Sequence, residues 1–181
     1  RTTYSNWIVD LLPKNAGYHG ARAGFYDLNL NLSHQQNEKN NFYLTAYVSS
    51  DKSNLATDTT YRYNNQNLSL RWKHTFNNKL YSVISGGFDK YSYENYSSYR
   101  EEVDYKLKFG IQQSNLKATF TYYPNTKLNM EFGAGAIYYT SQPGSLLPLD
   151  EKSLVIPDVL AKEQALESAI FFEPRYDLNN A

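Results

Sequence analysis

The chain has 181 residues, 18 basic against 18 acidic residues, and no cysteine. This charge balance leaves no net positive charge to steer the chain toward nucleic acid, and the lack of cysteine excludes disulfides, thiolate metal sites and thiol nucleophiles. Tyr is unusually frequent, with 18 copies, and it suits interfaces because it joins an apolar ring to a polar hydroxyl. No segment has the ~20 consecutive apolar residues of a membrane helix, so entry into a bilayer would require β-structure.

The first clear strand runs from Phe25 to His34, where apolar and polar residues alternate. A period of two gives a strand one apolar and one polar face, which in a membrane β-barrel meet lipid and lumen. A short polar connector leads to the second strand. The apolar faces of these two strands are Tyr26, Leu28, Leu30 and Leu32, and then Phe42, Leu44, Ala46 and Val48.

The third and fourth strands are joined by a short turn. The third ends in an alternation over residues 67–73 and turns at residues 76–79, where consecutive Asn residues favour a turn. The fourth runs from Leu80 to Tyr93, and Gly86-Gly87 permits a bulge in it. Longer polar loops are predicted at residues 50–59 and 94–101.

The fifth segment changes parity. Its apolar residues are odd-numbered from Val103 to Ile111 and even-numbered from Leu116 to Tyr122. Outer-membrane barrels alternate short turns with longer loops, and a turn inside this segment would break that alternation. We therefore expect one long strand from Glu102 to Tyr123, with a bulge near Gln112 to Asn115 that exchanges its faces.

The sixth strand, from Leu128 to Tyr138, is the most regular, and its inward glycines leave space in the lumen. A long loop follows from Ser141 to about Lys162, and its tail from Asp158 is expected to form a helical turn. The last strand runs from Ala165 to Tyr176. Residues 177–181 look like a turn with no strand after it.

These segments predict an all-β chain of about seven antiparallel strands. Because bacterial barrels have an even number of strands, at least about eight, residues 1–181 are expected to form an arc of a larger transmembrane β-barrel. The start at Arg1 is expected to be a cut. The predicted lipid-facing residues are Tyr26, Leu28, Leu30, Leu32, Phe42, Leu44, Leu128, Met130, Phe132, Ala134 and Ala136.

Six short stretches of the sequence resemble those of a known protein family. They are Arg1-Thr2-Thr3-Tyr4 with Trp7, Phe25-Tyr26-Asp27-Leu28-Asn29, Leu68-Ser69-Leu70-Arg71-Trp72-Lys73-His74, Leu116-Lys117-Ala118 to Tyr122, Phe132-Gly133-Ala134-Gly135-Ala136 and Gln164-Ala165-Leu166-Glu167-Ser168-Ala169-Ile170. In order and spacing they resemble the barrel of TonB-dependent outer-membrane receptors, in particular Bacteroidota receptors with a carboxypeptidase-like domain before the plug. The chain departs from the family at Glu173-Pro174-Arg175, where relatives often have an acidic pair.

The resemblance implies an outer-membrane receptor that binds a scarce solute and imports it with energy from TonB. TonB would contact a part of the protein N-terminal to this chain, and the plug domain and the remaining strands would lie outside residues 1–181. The implied partners are outer-membrane lipid, the solute and a surface lipoprotein. An enzyme, a cofactor and a nucleic-acid partner are not expected.

A tyrosine cluster marks the end of the fourth strand, with Tyr91, Tyr93, Tyr96 and Tyr99. Stacked at an extracellular rim, these residues would bind a sugar or another ring-containing ligand, because each ring offers a flat apolar surface with a polar handle. The alternative is an aromatic girdle or loop packing. The residues themselves leave both interpretations open.

No metal site is predicted. The three histidines lie on different predicted elements without the spacing of metal ligands. They are His19, His34 and His74.

Glu101, Glu102 and Asp104 suggest a general acid and base at first sight. On a strand, however, Glu102 and Asp104 share a face with the basic side chains at 106 and 108, which favours a charge-compensated lumen wall. Nothing nearby supplies a nucleophile or an oxyanion site.

Two other functions fit parts of the pattern. One is a structural or adhesin-like outer-membrane barrel without transport, and the other is a soluble β-sandwich that binds carbohydrate through its Tyr-rich loops. The strands are too long and too regular for a sandwich core, whose outward faces would have to be the polar ones.

Overall fold

A computed structural model describes residues 2–4, 11, 13, 21–54, 58–98 and 100–178. These residues form nine β-strands in a single antiparallel sheet and one short 3-10 helix, Glu101–Val103. The strands are β1 (Thr2–Tyr4), β2 (Arg22–Asn37), β3 (Asn40–Asn54), β4 (Thr59–Asn77), β5 (Leu80–Ser97), β6 (Tyr105–Tyr122), β7 (Leu128–Pro148), β8 (Asp158–Val159) and β9 (Glu163–Tyr176). No helix in this part of the chain is long and apolar enough to cross a membrane.

The sheet follows the chain. Strands β1 to β7 are neighbours in chain order, and β9 pairs with β7 along most of its length. The two long strands at its margins, β2 and β9, do not pair with each other, so the sheet stays open within the described residues. The prediction of about seven long antiparallel strands in an open arc is confirmed, and a sandwich is excluded here because these strands form one layer.

The three short turns share one construction. Each begins with an Asn whose Oδ1 accepts hydrogen bonds, at 2.8 to 3.0 Å, from the backbone N–H groups two and three residues later. These residues are Asn37, Asn77 and Asn125. All three turns lie at one margin of the sheet, the short-turn edge, whereas the connections between β3 and β4, β5 and β6, and β7 and β9 lie at the opposite long-loop edge.

The register preserves parity across the sheet. Except at the turn residues Asn37 and Asn77, even-numbered residues pair with even-numbered residues from β2 to β6, in β9, and in β7 as far as Gln142. Because successive side chains point to opposite sides of a strand, the sheet has an even face and an odd face. The single layer has almost no interior, since Ala21 is the one buried apolar residue in the described part of the chain.

The even face carries an apolar belt toward the short-turn edge. Many of its large side chains are exposed, with Leu28 at 66% and Ile170 at 88%, and others such as Phe42 and Leu44 are half-buried. In β7 the belt runs from Leu128 to Tyr138, which matches the ~9–11 residues that cross a bilayer. All the residues predicted to face lipid lie on this face. The belt consists of the even-numbered residues within 26–32, 42–48, 68–76, 84–88, 116–122, 128–138 and 166–176.

The bulge predicted near Gln112 to Asn115 is wrong, whereas the single long strand is confirmed. Strand β6 pairs with β5 in unbroken register from Tyr105 to Tyr122. Its residues therefore keep their faces. What changes along the strand is the chemistry of each face, because near the long-loop edge the odd face is aromatic and the even face is charged.

Strands also continue further toward the long-loop edge than predicted. Strand β3 ends at Asn54, β5 at Ser97 and β7 at Pro148, since polar residues continue the backbone ladder there. Strand β6 starts only at Tyr105, after the 3-10 helix. The helical turn expected from Asp158 is wrong, because this segment forms β8 against β7.

The irregularity allowed at Gly86-Gly87 is absent, and a bulge lies instead in β7. Gly86 and Gly87 pair regularly with β6. In β7, Pro143 and Gly144 together stand opposite Phe109, where the register shifts. Pro has no N–H to donate to a ladder, so a bulge accommodates it.

Candidate functional site

Three rings form an aromatic ladder on the odd face near the long-loop edge. Tyr63 of β4 pairs with Tyr93 of β5, and Tyr93 pairs with Phe109 of β6. The ring centroids are 5.1 Å apart for Tyr63 and Tyr93 and 5.7 Å apart for Tyr93 and Phe109. These separations are typical of interacting aromatic pairs. Phe109 keeps 37% of its surface exposed, so the ladder offers ring surface to a ligand.

Neighbouring groups fix the ladder. The amide of Asn95 donates a hydrogen bond of 2.9 Å to the hydroxyl oxygen of Tyr93. Burial raises the pKa of Tyr63 above its ordinary value of 10.0, and the nearby phenols of Tyr93, Tyr91 and Tyr61 raise it further. The Tyr63 hydroxyl is therefore protonated throughout the physiological pH range.

A polar row borders the ladder on the side of the short-turn edge. Asn67, Asp89 and Gln113 stand side by side on β4, β5 and β6. The carboxylate of Asp89 accepts hydrogen bonds from the amides of Asn67 and Gln113, the latter at 3.0 Å. Between this row and the ladder, Tyr91 and Ile111 face each other, and both are exposed.

The wall formed by these rows is apolar and acidic in chemistry. On the odd face of the described strands β3 to β6, from the polar row to the long-loop edge, Asp51 and Asp89 are the charged residues. Flat rings beside amide and carboxylate groups suit a ligand with a ring face and hydrogen-bonding substituents. The same wall disfavours an anionic ligand.

The four predicted tyrosines are separated by the register. Tyr91 and Tyr93 lie on the odd face at the ladder, but Tyr96 lies on the even face, where the Lys52 Nζ is 6.0 Å from its ring centroid. Tyr99 lies outside the described residues.

The predicted tyrosine cluster did not include two members of the ladder. Tyr63 and Phe109 come from strands on either side of Tyr93. All three ladder residues are odd-numbered, and odd-numbered residues share one face of the sheet. Their position on a common face could have been inferred if the pairing of β4, β5 and β6 had been known.

A charged cluster occupies the even face at the level of the ladder. The Glu94 carboxylate lies 3.6 Å from Arg62, 3.5 Å from Lys106 and 3.7 Å from Lys108. The prediction that Glu102 and Asp104 compensate the charges of Lys106 and Lys108 is therefore wrong, because these lysines pair with Glu94. Asp104 instead lies buried, and its Oδ1 accepts a hydrogen bond of 3.1 Å from the backbone N–H of Arg100.

The histidines take no part in a common site. His34 and His74 are on β2 and β4, and no group of acidic or histidine side chains in the described residues could hold a metal ion. His74 Nδ1 lies 2.8 Å from Asn40 Oδ1, and its ring meets the ring of Phe76 edge-on at 4.5 Å. His19 lies outside the described residues.

Aromatic rings line the belt near the short-turn edge. The ring centroids of Phe42 and Trp72 are 6.0 Å apart, and those of Phe120 and Phe132 are 5.5 Å apart. The Trp72 Nε1 donates a hydrogen bond of 3.0 Å to Asn40 at the edge of the belt. An apolar ring with its polar end turned to the margin is the arrangement that Trp adopts at a membrane interface.

The fold is similar to that of a solved receptor. The crystal structure of BauA, the ferric preacinetobactin receptor from Acinetobacter baumannii, matches with a TM-score of 0.56 and 12% identity, over 88% of this chain and 32% of that chain. The chain thus spans about a third of the length of the receptor. No family model and no curated protein match the sequence.

Proposed function

We propose that this chain is part of the wall of an outer-membrane receptor barrel that takes up a solute with energy from TonB. The observation that carries the proposal is the pair of unlike faces, with an exposed apolar belt on the even face and polar side chains on the odd face. The similarity of the fold to a receptor supports it. In this arrangement the belt faces lipid, the odd face lines the lumen, and the chain lies in the outer membrane.

The odd face within the span has the chemistry of a wet lumen. Basic side chains lie over rings there, with the Arg71 guanidinium 5.7 Å from the Tyr43 ring and the Lys117 Nζ 5.1 Å from the Phe171 ring. Such groups keep a charged head in water while their stems cover apolar surface. They would be costly on a face in contact with lipid.

The belt is oblique to the strands, as a barrel requires. The end of the belt that lies toward the long-loop edge is Tyr26 in β2 and Tyr138 in β7. The residue pairings across the sheet connect Tyr138 with Leu30 of β2 and not with Tyr26. This displacement of four residues is roughly 13 Å, over strands about 24 Å apart. The corresponding tilt of about 30° is close to the ~35–45° of membrane barrels.

The remaining parts of the proposal rest on the resemblance of the sequence. They are a receptor of the Bacteroidota type, a plug domain and further strands outside residues 1–181, contact with TonB through the N-terminal part, and an accessory surface lipoprotein. The receptor role is that of a binding and transport protein and not that of an enzyme.

Single cysteines at residues 128 to 138, in the full-length protein in cells, test the placement of the faces. We expect even positions such as Met130 and Ala134 to react with membrane-soluble reagents, and odd positions such as Asn129 and Glu131 to react with water-soluble maleimides. Uniform access from water along this segment would refute the proposal.

The solute-binding surface of the proposed receptor is the odd-face wall with its aromatic ladder. Its chemistry favours a neutral or cationic solute that carries a sugar ring or another flat ring. A panel of labelled oligosaccharides and ring-bearing cations provides the probe for the full-length receptor. Tyr93→Ala should weaken binding of the best probe about fivefold, because one stacked ring contributes roughly 1 kcal/mol, and Tyr96→Ala on the even face should not. If both variants weakened binding equally, the odd-face wall would be excluded as the solute-binding surface.

A further inference from the structure

The even face above the apolar belt carries a surplus of positive charge. One row of residues that pair across four adjacent strands contains Lys52, Arg62, Glu94 and Lys108. Lys106 stands in the next row and also contacts Glu94. Within the described part of β3 to β6, Glu94 is the single carboxylate on this face between the belt and the long-loop edge. The basic residues in the same area are Lys52, Arg62, Lys90, Lys106 and Lys108.

Glu94 organises this cluster without neutralising it. Three cationic groups lie within 3.7 Å of its carboxylate, which carries one charge. The Glu94 side chain is 15% exposed, whereas that of Lys108 is 45% exposed. The carboxylate is therefore covered by cations that keep donors available on their outer side. Holding long side chains together in advance lowers the entropy cost of binding an anion.

The surface between the belt and the cationic row is polar and uncharged for the most part. It consists of amide and hydroxyl side chains, namely Ser50, Asn64, Gln66, Ser92, Gln112 and Ser114. Amides and hydroxyls both donate and accept hydrogen bonds, which suits sugar hydroxyl groups. Toward the long-loop edge the even face thus changes from apolar to amide-rich to cationic.

The distance from the belt to the cationic row restricts which lipids could place a phosphate at this row. Arg62 lies six residues from Leu68, the first belt residue of β4. This separation corresponds to roughly 20 Å along an extended strand, and to roughly 17 Å along the membrane normal at the tilt of about 30° given above. The headgroup region of one leaflet of a phospholipid bilayer is only about 5–8 Å thick. A phosphate held by Arg62 and its neighbours must therefore project well beyond the hydrocarbon on an intervening polar group.

We infer that this face binds a phosphorylated glycolipid of the outer leaflet, with acyl chains on the belt, sugars on the amide-rich surface and sugar phosphates on the cations around Glu94. This inference rests on the proposed function, because it needs the even face to lie against the membrane. Charge-assisted hydrogen bonds from Arg and Lys to phosphate are about twice as strong as neutral ones.

The test measures binding of labelled lipopolysaccharide to the full-length receptor in detergent, with phosphorylated and enzymatically dephosphorylated glycolipid as the two probes. Replacing Arg62, Lys106 and Lys108 together with Gln should weaken binding of the phosphorylated probe at least about tenfold, because each basic residue at an anionic membrane surface contributes to attraction. The dephosphorylated probe should bind wild type and variant alike.

Two matched variants control for folding and for net charge. The charge-preserving variant Arg62→Lys, Lys106→Arg, Lys108→Arg should retain the phosphorylated probe. Removing the same number of cations from the odd face, at Arg71, Lys73 and Lys117, should also leave binding unchanged.

Three results would overturn the inference: unchanged binding by the even-face triple variant, an equal loss in the odd-face variant, or full displacement of the glycolipid by millimolar inorganic phosphate, which would indicate a site for the free anion. These failures are separate from failure of the proposed function. If the cysteines on the belt react with lipid-soluble reagents while the triple variant binds normally, only the glycolipid inference is wrong.

Discussion

Gly133 occupies a position of the odd face that has no room for a side chain. A Cβ at this position would clash with the carbonyl oxygen of Ala118 and would lie 2.9 Å from the Phe171 ring. The ring of Phe171 on β9 therefore lies directly over the backbone of β7. Gly135, one pleat further along the same face, has only ordinary contacts at 3.5 Å around the same hypothetical atom.

We predict that Gly133→Ala destabilises the full-length protein by about 1–3 kcal/mol, the usual cost of overpacking a close contact. Gly135→Ala is the matched control and should change stability by much less. Urea unfolding in detergent, followed by tyrosine fluorescence, measures both variants. A loss of stability that is the same for both would show that glycine is required there for backbone reasons alone.

Tyr63 gives the aromatic ladder a defined pH response. Burial favours its neutral phenol, and the neighbouring phenols act in the same direction, so the folded pKa lies above 10.0. The folded protein thus holds this proton more tightly than the unfolded chain. The corresponding stability is fully present below pH 10 and is lost as the pH rises through the raised pKa.

An alkaline titration of tyrosinate absorbance should show this group. The difference between wild type and Tyr63→Phe should be one phenol that ionises later than the ordinary phenols, above pH 10. Tyr26→Phe, in the belt of β2, provides a comparison that leaves the ladder intact. A Tyr63 difference that titrates below pH 10 would contradict the packing described for the ladder.

At the scale of elements, the short turns owe their form to one side chain each. The Oδ1 of Asn77 accepts hydrogen bonds from the backbone N–H groups of Lys79 at 2.8 Å and Leu80 at 3.0 Å. Asn78, the next residue, takes no part in these two bonds. Asn is favoured in such turns because its side chain mimics a turn of the backbone.

Asn77→Ala should therefore destabilise the hairpin of β4 and β5 by about 1–2 kcal/mol, since two backbone donors lose their acceptor. Asn78→Ala keeps both bonds and should be near neutral. Hydrogen exchange of the amides at residues 79 and 80 reports on the turn directly. Equal protection in the two variants would show that water replaces the Asn oxygen without cost.

The strands were predictable from the sequence where a single face carries the apolar residues. From Leu128 to Tyr138 the period of two fixed both the strand and its faces, and the register confirms them. The prediction failed in β6. There the apolar residues change from odd to even positions between Ile111 and Leu116, and the prediction explained this change by a bulge in the backbone. Backbone parity is constant there, and the environment of the strand is what changes.

The candidate site could be predicted only in part for the same reason. Tyr91 and Tyr93 were identified from their clustering in the sequence, but Tyr63 and Phe109 join them through pairings between distant segments. Tyr96 is close to Tyr93 in sequence and lies on the other face. Clustering along a strand mixes two faces, whereas a surface of the sheet is assembled across strands.

At the scale of the molecule, the sheet exposes more surface than a globular protein of its size. Its accessible surface is 12862 Å², roughly 1.4 times the area expected for a folded monomer of 20.9 kDa. A single layer has no second layer against which to bury the belt. A continuous exposed belt of apolar side chains marks contact with a membrane or with other protein.

Residues 1–181 produced alone should therefore associate in water and disperse as β-rich protein in detergent. Replacing the belt residues Leu30, Leu70, Leu116 and Ile170 with Ser should reduce association in water, because each replacement removes apolar surface from the even face. The same number of replacements on the odd face, at Val83, Ile137, Ala169 and Phe171, should have a much smaller effect. Sedimentation with and without detergent measures the difference. A monomer in water at micromolar concentration would mean that the belt is covered within the chain itself, and the membrane assignment of the even face would then fail.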